Sequence, residues 1–335
     1  MRILGIETSC DETAAAVVRD GRHVLSNVIA SQICVHQEYG GVVPEIASRK
    51  HIEKITRVVT SALDEAGLDK IRVDAIAVTN GPGLVGALLV GLSYGKALSF
   101  ALNKPFTGVN HIEGHIYANL LGSNPVTPPF ICLVASGGHT HLLFIMNNWR
   151  IEVLGRTKDD AVGEAYDKTA RALGLAYPGG PAVDLLAKEG NPDAITFPRA
   201  LSDEMNFSFS GLKSAVLNYM NKQAMTGAGF SKADVAASFQ RAAVDMLTNK
   251  AVSACKRYNI NTLALAGGVS SNSALREAMR SACGKHNIAL FVPPPVYCTD
   301  NAAMIASCGY FRLKLGKISS LDLNAKPEVG DFTEM

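Results

Sequence analysis

Two stretches with the same order of features decide the fold: "RILGIETSCDETAAAVVRDGRHVLSN" at residues 2–27 and "FICLVASGGHTHLLFIMNNWRIEVLGR" at residues 130–156. Each begins with an apolar segment, passes through a short polar turn, and returns as a second apolar segment. A further turn, "DG" or "NN", leads into a third. Apolar runs bounded by Gly, Asn, Asp and Ser predict strands joined by hairpin turns. The sequence therefore predicts three strands at the start of each half.

The similarity between the halves extends to the segments that follow. Residues 41–68 and 233–260 have helical spacing of apolar residues, with Pro44 at a favourable helix start. Each helix is followed by a short apolar strand, a Gly-rich turn and another helix. Such a repeat predicts duplicated α/β domains facing each other across a cleft, at residues 1–125 and 126–335. Residues from about 157 to 230 have no counterpart, and we expect an insertion whose loops line a site.

Composition limits the possible classes of protein. The 335 residues are 47% hydrophobic, with a net charge of +2 and seven scattered cysteines. The charge predicts no strongly polyanion-binding surface, although a nucleic-acid partner remains compatible with it. An odd number of cysteines without a C-x-x-C pair favours reduced thiols. We see no signal-peptide pattern and no run of about 18 apolar residues, so we expect a soluble, cytoplasmic protein.

The motif "HIEGH" at residues 111–115 raises the question of a metal site. A helix beginning near Val109 places His111 and His115 on one face, because residues four apart are neighbours on a helix. Glu113 then points to the far side, one position later than the general base of the zinc-protease pattern. This spacing favours a metal pair over a protease, and two ordinary surface histidines are the alternative.

A third ligand is needed, and Asp300 in "PPPVYCTDNAAMIASCGYF" is the candidate. It precedes an apolar segment with helical character, so capping that helix is one interpretation. The other is that Asp300 completes a site with two histidines and one carboxylate, with open positions for substrate.

Four stretches are candidates for binding phosphate or nucleotide. "TSCDET" (8–13) and "ASGGHT" (135–140) occupy equivalent hairpin turns, whose backbone N–H groups suit phosphate; ordinary turns are the alternative. Asp11 and Glu12 would lie beside such phosphates. "AGGVSSN" (266–272) joins a strand to a helix, where Asn272 is also a plausible helix cap. "GPGLVG" (81–86) is a weak dinucleotide signal, because no acidic residue follows at the required distance.

Together these segments resemble one family, the universal tRNA adenosine threonylcarbamoyltransferases of the bacterial TsaD type, formerly named O-sialoglycoprotein endopeptidases. The resemblance covers nearly the whole chain, and the order of its motifs makes it specific. The matching segments are "GIETSCDET", "GGVVPEIASR", "GPGLVGALLVG", "HIEGH", "SGGHT", "GEAYDKTAR", "YPGGP", "FSFSGLK", "AGGVSSN" and "CTDNAAMIA".

The resemblance implies a fold and a reaction. The fold is of the actin–hexokinase–Hsp70 (ASKHA) type, with the His111/His115 helix at the cleft between domains. The reaction is transfer of a threonylcarbamoyl group from threonylcarbamoyl-AMP to the exocyclic amine of the adenosine beside the anticodon. The tRNAs concerned read codons that begin with A, and AMP is released.

The resemblance also implies a set of site residues. His111, His115 and Asp300 would hold one divalent metal, iron before zinc, with an adenine nucleotide in the cleft. Asp11 or Glu12 would orient or deprotonate the attacking amine. The implied substrate and nucleotide positions are Val134, Ala135, Ser136, Gly137, Gly138, Asp167, Gly180, Asp184 and Asn272.

The implied partners are tRNA, a smaller homologue of the first domain (TsaB) and a P-loop ATPase (TsaE). Three other classes of protein share some of these features. A small-molecule kinase of the same fold would leave the histidine pair without a role. A metalloprotease is disfavoured by the position of Glu113. A non-catalytic scaffold would not require three intact metal ligands.

Overall fold

The computed structural model describes residues 1–200 and 204–328. The chain forms two compact units: Met1–Val126 joined by Pro293–Met335, and Thr127–Val292. Residues 201–203, within the predicted insertion, and 329–335, at the end of the predicted second domain, lie outside the described residues.

The first unit is built on a five-stranded sheet with the strand order β3-β2-β1-β4-β5. The first three strands are antiparallel neighbours, whereas β4 and β5 run parallel to β1. The strands are β1 (Arg2–Glu7), β2 (Glu12–Arg19), β3 (His23–Ser31), β4 (Ala75–Gly81) and β5 (Phe106–Asn110).

The second unit repeats this arrangement, with the strand order β10-β9-β6-β7-β8. Again three antiparallel strands are followed by two parallel ones on the other side of the first. The strands are β6 (Phe130–Ala135), β7 (Thr140–Ile145), β8 (Ile151–Arg156), β9 (Thr262–Ala266) and β10 (Ala289–Phe291). The identical topology agrees with the predicted duplication, and it adds a fifth strand to the four expected in each half.

Helices pack against both sheets. In chain order they are α1 (Ile33–Gln37), α2 (Pro44–Glu65), α3 (Val85–Leu102), α4 (His111–Tyr117), α5 (Val162–Ala172), α6 (Gly179–Ala187), α7 (Ser210–Thr226), α8 (Lys232–Arg257), α9 (Ser273–Lys285), α10 (Pro295–Cys298) and α11 (Ala302–Lys314). Helix α2 begins at Pro44, as predicted, and it buries Ile55, Val58 and Val59 in the core of the first unit. Ile52, also expected in that apolar face, is instead 65% exposed.

The division of the chain differs from the predicted domain boundary at the C-terminal end. We expected the second domain to continue to residue 335, but the chain returns to the first unit at Pro293. The physical reason is the packing of α11 on β1, where a Cβ atom on Gly5 would overlap the backbone of Ala302. The predicted position of α4 at a cleft between domains stays a prediction.

The predicted insertion contains helices where loops were expected. Between β8 and α8 the chain forms α5, α6 and α7. "YPGGP" supplies the first residues of α6, and "NFSFSGLK" leads into α7 at Ser210. The turn-forming residues therefore mark helix starts, because Gly and Ser are tolerated in the first turn of a helix.

We expected no segment long and apolar enough to cross a membrane, but helix α3 meets both conditions. Among the described helices, Val85–Leu102 has the required length, with a mean hydropathy of 1.5. It packs on β4 and α2 through Ala87, Leu88 and Leu92. Length and composition alone are weak evidence for a span, since a core helix of a globular unit has the same properties.

Candidate metal centre and nucleotide-binding residues

The two histidines of the candidate metal centre lie on α4. The Asn110 side chain caps this helix by accepting hydrogen bonds from the N–H groups of Ile112 (2.9 Å) and Glu113 (3.2 Å). The helix therefore begins at His111, two residues later than predicted, because Phe106–Asn110 is a buried parallel strand. The i, i+4 spacing brings the rings of His111 and His115 to a centroid distance of 4.7 Å.

Asp300 meets both histidines inside the first unit. Its Oδ1 atom lies 3.4 Å from Nε2 of His111 and 3.2 Å from Nε2 of His115. One donor atom from each residue lies within 4.8 Å of the other two. Asn301, and not Asp300, caps α11 by accepting from the N–H of Met304. The capping interpretation of Asp300 is therefore wrong.

The environment of His115 fits a metal ligand. This ring is 1% exposed, and neither of its nitrogens makes a well-directed hydrogen bond to a described residue. A buried polar atom without such a bond is costly, and a metal ion at this point would satisfy it. Two imidazoles and one carboxylate, with positions left open, suit iron or zinc.

Glu7, at the end of β1, orients the other histidine. Its Oε2 atom lies 3.1 Å from Nδ1 of His111, so that Nε2 faces Asp300. The buried Glu7 carboxylate also accepts hydrogen bonds from the N–H of Ser9 and the hydroxyl of Thr79. A carboxylate behind a ligating imidazole fixes its tautomer and raises its basicity. No role was predicted for Glu7; a charged residue at the end of an apolar strand was the signal that the sequence offered.

The two carboxylates and two imidazoles of this centre shift one another's pKa values. Burial lowers the pKa of His111, but the carboxylates of Asp300 and Glu7 outweigh burial and raise it well above its ordinary value. Burial raises the pKa of Asp300, but the two histidines outweigh this and lower it. The pKa of His115 is lowered, first by burial. A metal ion must therefore displace a proton from His111.

Glu113 faces away from the candidate centre. Its Oε2 atom lies 3.2 Å from Nη1 of Arg312 and also contacts the thiol of Cys308. Burial raises the pKa of Glu113, and the nearby Arg312 opposes that rise. Because its carboxylate is engaged with α11, it is not placed as the general base of a protease.

Asp11 lies in the turn between β1 and β2, and Glu12 is the first residue of β2. Burial raises the pKa of Glu12 to about 8, although a hydrogen bond from the Ser31 hydroxyl (2.9 Å) opposes the shift. Burial also raises the pKa of Asp11, and the charge of Asp300 adds to the effect. A carboxyl group with a pKa near neutrality has the property required of a general base at physiological pH.

In the second unit, the turn after β6 exposes the backbone of Gly137 and Gly138. The turn is closed by a hydrogen bond from the N–H of Ser136 to the carbonyl of His139 (2.8 Å). A Cβ atom added to either glycine would meet nothing within 4 Å, so the space above the turn is open. Val134 and Ala135, the last residues of β6, are buried beneath it.

The remaining predicted positions are tied together by short polar contacts. Asp167 accepts a hydrogen bond from the N–H of Gly179 (2.7 Å), which fixes the start of α6 and exposes the neighbouring Gly180 to open space. Further along α6, Asp184 accepts from the N–H (3.1 Å) and hydroxyl (2.9 Å) of Ser273 at the start of α9. The structure thus links α5, α6 and α9 through predicted residues.

Asn272 caps α9, as its alternative interpretation proposed. Its Oδ1 atom accepts from the N–H of Leu275 (2.9 Å), and its Nδ2 donates to Gln240 (2.8 Å). The loop that carries Asn272 lies against the end of β6, because a Cβ atom on Gly267 would overlap the carbonyl oxygen of Ala135. Gln240, buried on α8, had no signal in the sequence.

Two copies of one sheet topology define an ASKHA-type fold, and two buried histidines with one partly buried carboxylate form a candidate metal centre in it. Solved structures share this fold at low sequence identity. HypF from T. kodakarensis matches with a TM-score of 0.65 and 16% identity, over 96% of this chain and 49% of that protein. The activator of the 2-hydroxyisocaproyl-CoA dehydratase from Clostridium difficile matches with a TM-score of 0.52 and 15% identity, over 94% and 97%.

The sequence comparisons are more specific. The family model described as TsaD, tRNA N6-adenosine threonylcarbamoyltransferase, matches residues 23–307. The relative of that name from Clostridium kluyveri is 59% identical over 98% of this chain and 97% of its own length. The one from Clostridium perfringens is 58% identical over the same shares. The chain therefore belongs to the tRNA N6-adenosine threonylcarbamoyltransferase family, and it is a transferase that modifies tRNA.

Proposed function

We propose that the chain transfers a threonylcarbamoyl group from threonylcarbamoyl-AMP to the exocyclic amine of the adenosine adjacent to the anticodon. The substrates are tRNAs that read codons beginning with A. A bond forms between the amine nitrogen and the carbamoyl carbon, and the bond from that carbon to the phosphate oxygen breaks, which releases AMP. The observation that carries the proposal is the cluster of the buried His111 and His115 with the partly buried Asp300, in which Glu7 orients His111, in a member of this family.

His111, His115 and Asp300 would hold one divalent ion, with iron preferred and zinc as the alternative. Such an ion supplies Lewis-acid polarisation of a carbonyl or phosphoryl oxygen. A carbamoyl adenylate already has a good leaving group, so the chain mainly needs to orient the two reactants and stabilise charge. The open coordination positions expected for two imidazoles and one carboxylate are compatible with this role.

Glu12 is the residue we propose as the proton acceptor. With a pKa raised by burial to about 8, it is able to take the proton that the amine loses as it attacks the carbamoyl carbon. Asp11 precedes it in the chain and would orient the amine. Both carboxylates lie in the first unit, as do the proposed metal ligands.

We propose that the second unit binds the adenine nucleotide portion of the donor. The exposed N–H groups of Gly137 and Gly138 suit phosphate, since backbone can approach closely where there is no side chain. The remaining residues proposed to line this site are Val134, Ala135, Ser136, Asp167, Gly180, Asp184 and Asn272. The hydrogen bond from Ser273 to Asp184 would hold α6 and α9 together, and the cap formed by Asn272 would fix the start of α9.

We propose a cytoplasmic enzyme that works with a smaller homologue of its first unit (TsaB) and a P-loop ATPase (TsaE). Helix α3 supports the first of these partners. It exposes Val85 (54%), Leu89 (42%) and Phe100 (78%) to solvent, and such large apolar side chains on one helix suit a protein interface. A partner would also supply tRNA-binding surface that this chain, with a net charge of +2, does not provide by charge alone.

Metal analysis of the purified chain, followed by a transfer assay with tRNA and threonylcarbamoyl-AMP, tests the proposal. His111→Ala, His115→Ala and Asp300→Ala should each lose the bound metal and most of the transfer activity while remaining folded. Retention of a full metal complement by all three variants would refute the metal assignment. Phosphorylation of a small molecule by ATP, without transfer to tRNA, would favour the kinase of the same fold.

A further inference from the structure

One buried imidazole contacts the residues on both sides of the acidic pair Asp11–Glu12. The ring of His51, on α2, is fully buried. Its Nε2 atom lies 2.9 Å from the carbonyl oxygen of Cys10, the residue before Asp11. Its Nδ1 atom lies 2.8 Å from the hydroxyl oxygen of Thr13, the residue after Glu12.

The partners of His51 determine which ring nitrogen carries the proton. A carbonyl oxygen only accepts, so Nε2 must be the N–H that donates to Cys10. In the neutral ring Nδ1 is then an acceptor, and the Thr13 hydroxyl donates to it. Burial lowers the pKa of His51 below its ordinary value, which favours this neutral form. Both bonds are therefore satisfied by one tautomer.

Two further hydrogen bonds hold the same segment. The N–H of Gln32 donates to the carbonyl of Asp11 (3.1 Å), and the hydroxyl of Ser31 donates to the carboxylate of Glu12 (2.9 Å). Ser31 ends β3 at the surface and the buried Gln32 follows it, whereas His51 reaches the turn from α2. The ring joins both ends of the acidic segment to α2, and the side-chain amide of Gln32, 3.4 Å from the carbonyl oxygen of Ala47, makes a second link to that helix.

We infer that His51 is a positioning residue that sets the directions of the Asp11 and Glu12 carboxylates for the transfer reaction. The inference rests on the proposed function, in which this pair orients and deprotonates the attacking amine. A proton acceptor must lie within hydrogen-bond reach of its substrate, and a displacement of about 1 Å can cost about 100-fold in rate. The hydrogen bonds found for His51 among the described residues go to Cys10, Thr13 and Gln32, none of which is a proposed metal ligand.

The test uses two variants: His51→Leu removes the bonds to Cys10 and Thr13 and the longer contact from the Gln32 amide (3.4 Å), whereas Thr13→Val removes only its own bond to the ring. Each is assayed as the full chain with its partners, tRNA and threonylcarbamoyl-AMP. We expect kcat to fall about 10- to 100-fold for His51→Leu, with the KM for tRNA and the bound metal unchanged. Thr13→Val should show a smaller fall in kcat, and Thr13→Ser, which keeps the hydroxyl, should restore it.

Two measurements separate positioning from a general loss of stability. Val59→Ala, equally buried on the same helix, should lower the melting temperature without lowering kcat. Nitrogen-15 NMR of the intact protein should show His51 with its proton on Nε2. If His51→Leu does not fold, the kcat of Thr13→Val and the tautomer observed by NMR still test the inference.

The inference is overturned if folded His51→Leu and Thr13→Val both keep kcat within about twofold of the parent, or if Val59→Ala lowers kcat as much at equal stability. A proton on Nδ1 of His51 would overturn it as well. Failure of the proposed function is seen separately: Asp11→Asn and Glu12→Gln would then transfer at the parental rate, or the parent itself would not modify tRNA.

Discussion

Replacing Glu7 by Gln should weaken metal binding without removing any ligand. The carboxylate accepts three hydrogen bonds, from Ser9, Thr79 and His111. In Gln an NH2 group replaces one of the two carboxylate oxygens. This group then faces a hydrogen-bond donor at a position where the carboxylate accepted a bond. If the amide group faces His111, the ring must move its proton to Nε2, the nitrogen that the metal requires. The substitution therefore favours the tautomer that does not bind.

The size of the effect follows from two independent estimates. A hydrogen bond to a charged group contributes about 1.5–3 kcal/mol. Loss of a partner behind a ligating histidine typically lowers metal affinity about 10- to 100-fold, which corresponds to about 1.4–2.7 kcal/mol. The estimates agree, so we expect the Kd for Zn²⁺ to rise about 10- to 100-fold, measured by competition with a colorimetric chelator.

The pH dependence of binding provides a second readout. In the parent, the raised pKa of His111 means that protons compete with the metal, so affinity falls as the pH falls through that pKa. Without the Glu7 charge the pKa of His111 is lower, so this fall should begin at a lower pH. Glu113→Gln is the matched control, because Glu113 is also a buried glutamate, lies on α4 and contacts Arg312 instead of the histidines. Unchanged affinity and an unchanged pH midpoint in Glu7→Gln would refute the orienting role of Glu7.

Three further outcomes are expected. Glu113→Gln should keep most of its tRNA-modifying activity, and metal-dependent proteolysis by the pure parent protein that this substitution abolishes would contradict our interpretation. The free energy of unfolding should rise with pH between about 4 and 6.5, by up to about 3 kcal/mol, because burial and then the charge of Arg156 lower the pKa of His141 to about 4 while the unfolded ring titrates near 6.5. Chemical denaturation at a series of pH values should show a flatter profile for His141→Gln than for the parent. An identical profile would count against His141 as the origin. Adenine nucleotides should raise the melting temperature, and Gly138→Val or Asn272→Ala should reduce that increase; the absence of any shift in the parent, with or without its partners, would argue against the nucleotide site.

Local features of the sequence predicted the local features of the fold. The hairpins of each half were visible because strand and turn preferences act over a few residues, as at "RDG" before His23. The pairing of His111 with His115 was visible because helical geometry fixes which residues share a face. The start of α4 was misplaced because Phe106–Asn110 is a strand only through pairing with β4, a contact made across the chain.

Features that depend on distant contacts were not visible. Asp300 had two interpretations, which the contact with α4 and the cap formed by Asn301 distinguish. Glu7 gained its role only when β1 and α4 came together, 104 residues apart in sequence. The hydrogen bonds of His51 were not predicted for the same reason, because the sequence does not show which partners a buried histidine has. The helices of the insertion were obscured by Gly and Ser residues that also form turns.

The return of the chain at Pro293 has a consequence for the order of events during synthesis. The first unit lacks α11 until the whole second unit has left the ribosome, because Thr127–Val292 lies between its two parts. Until then the face of β1 at Gly5, against which α11 packs, is uncovered, and the two histidines of α4 have no Asp300. Domains generally fold as their residues are synthesised, and all residues of the second unit precede Pro293. The second unit is therefore expected to complete its fold before the first. The first half of the gene product is thus the last to mature, and a nascent chain stalled before residue 293 should bind metal no better than Asp300→Ala.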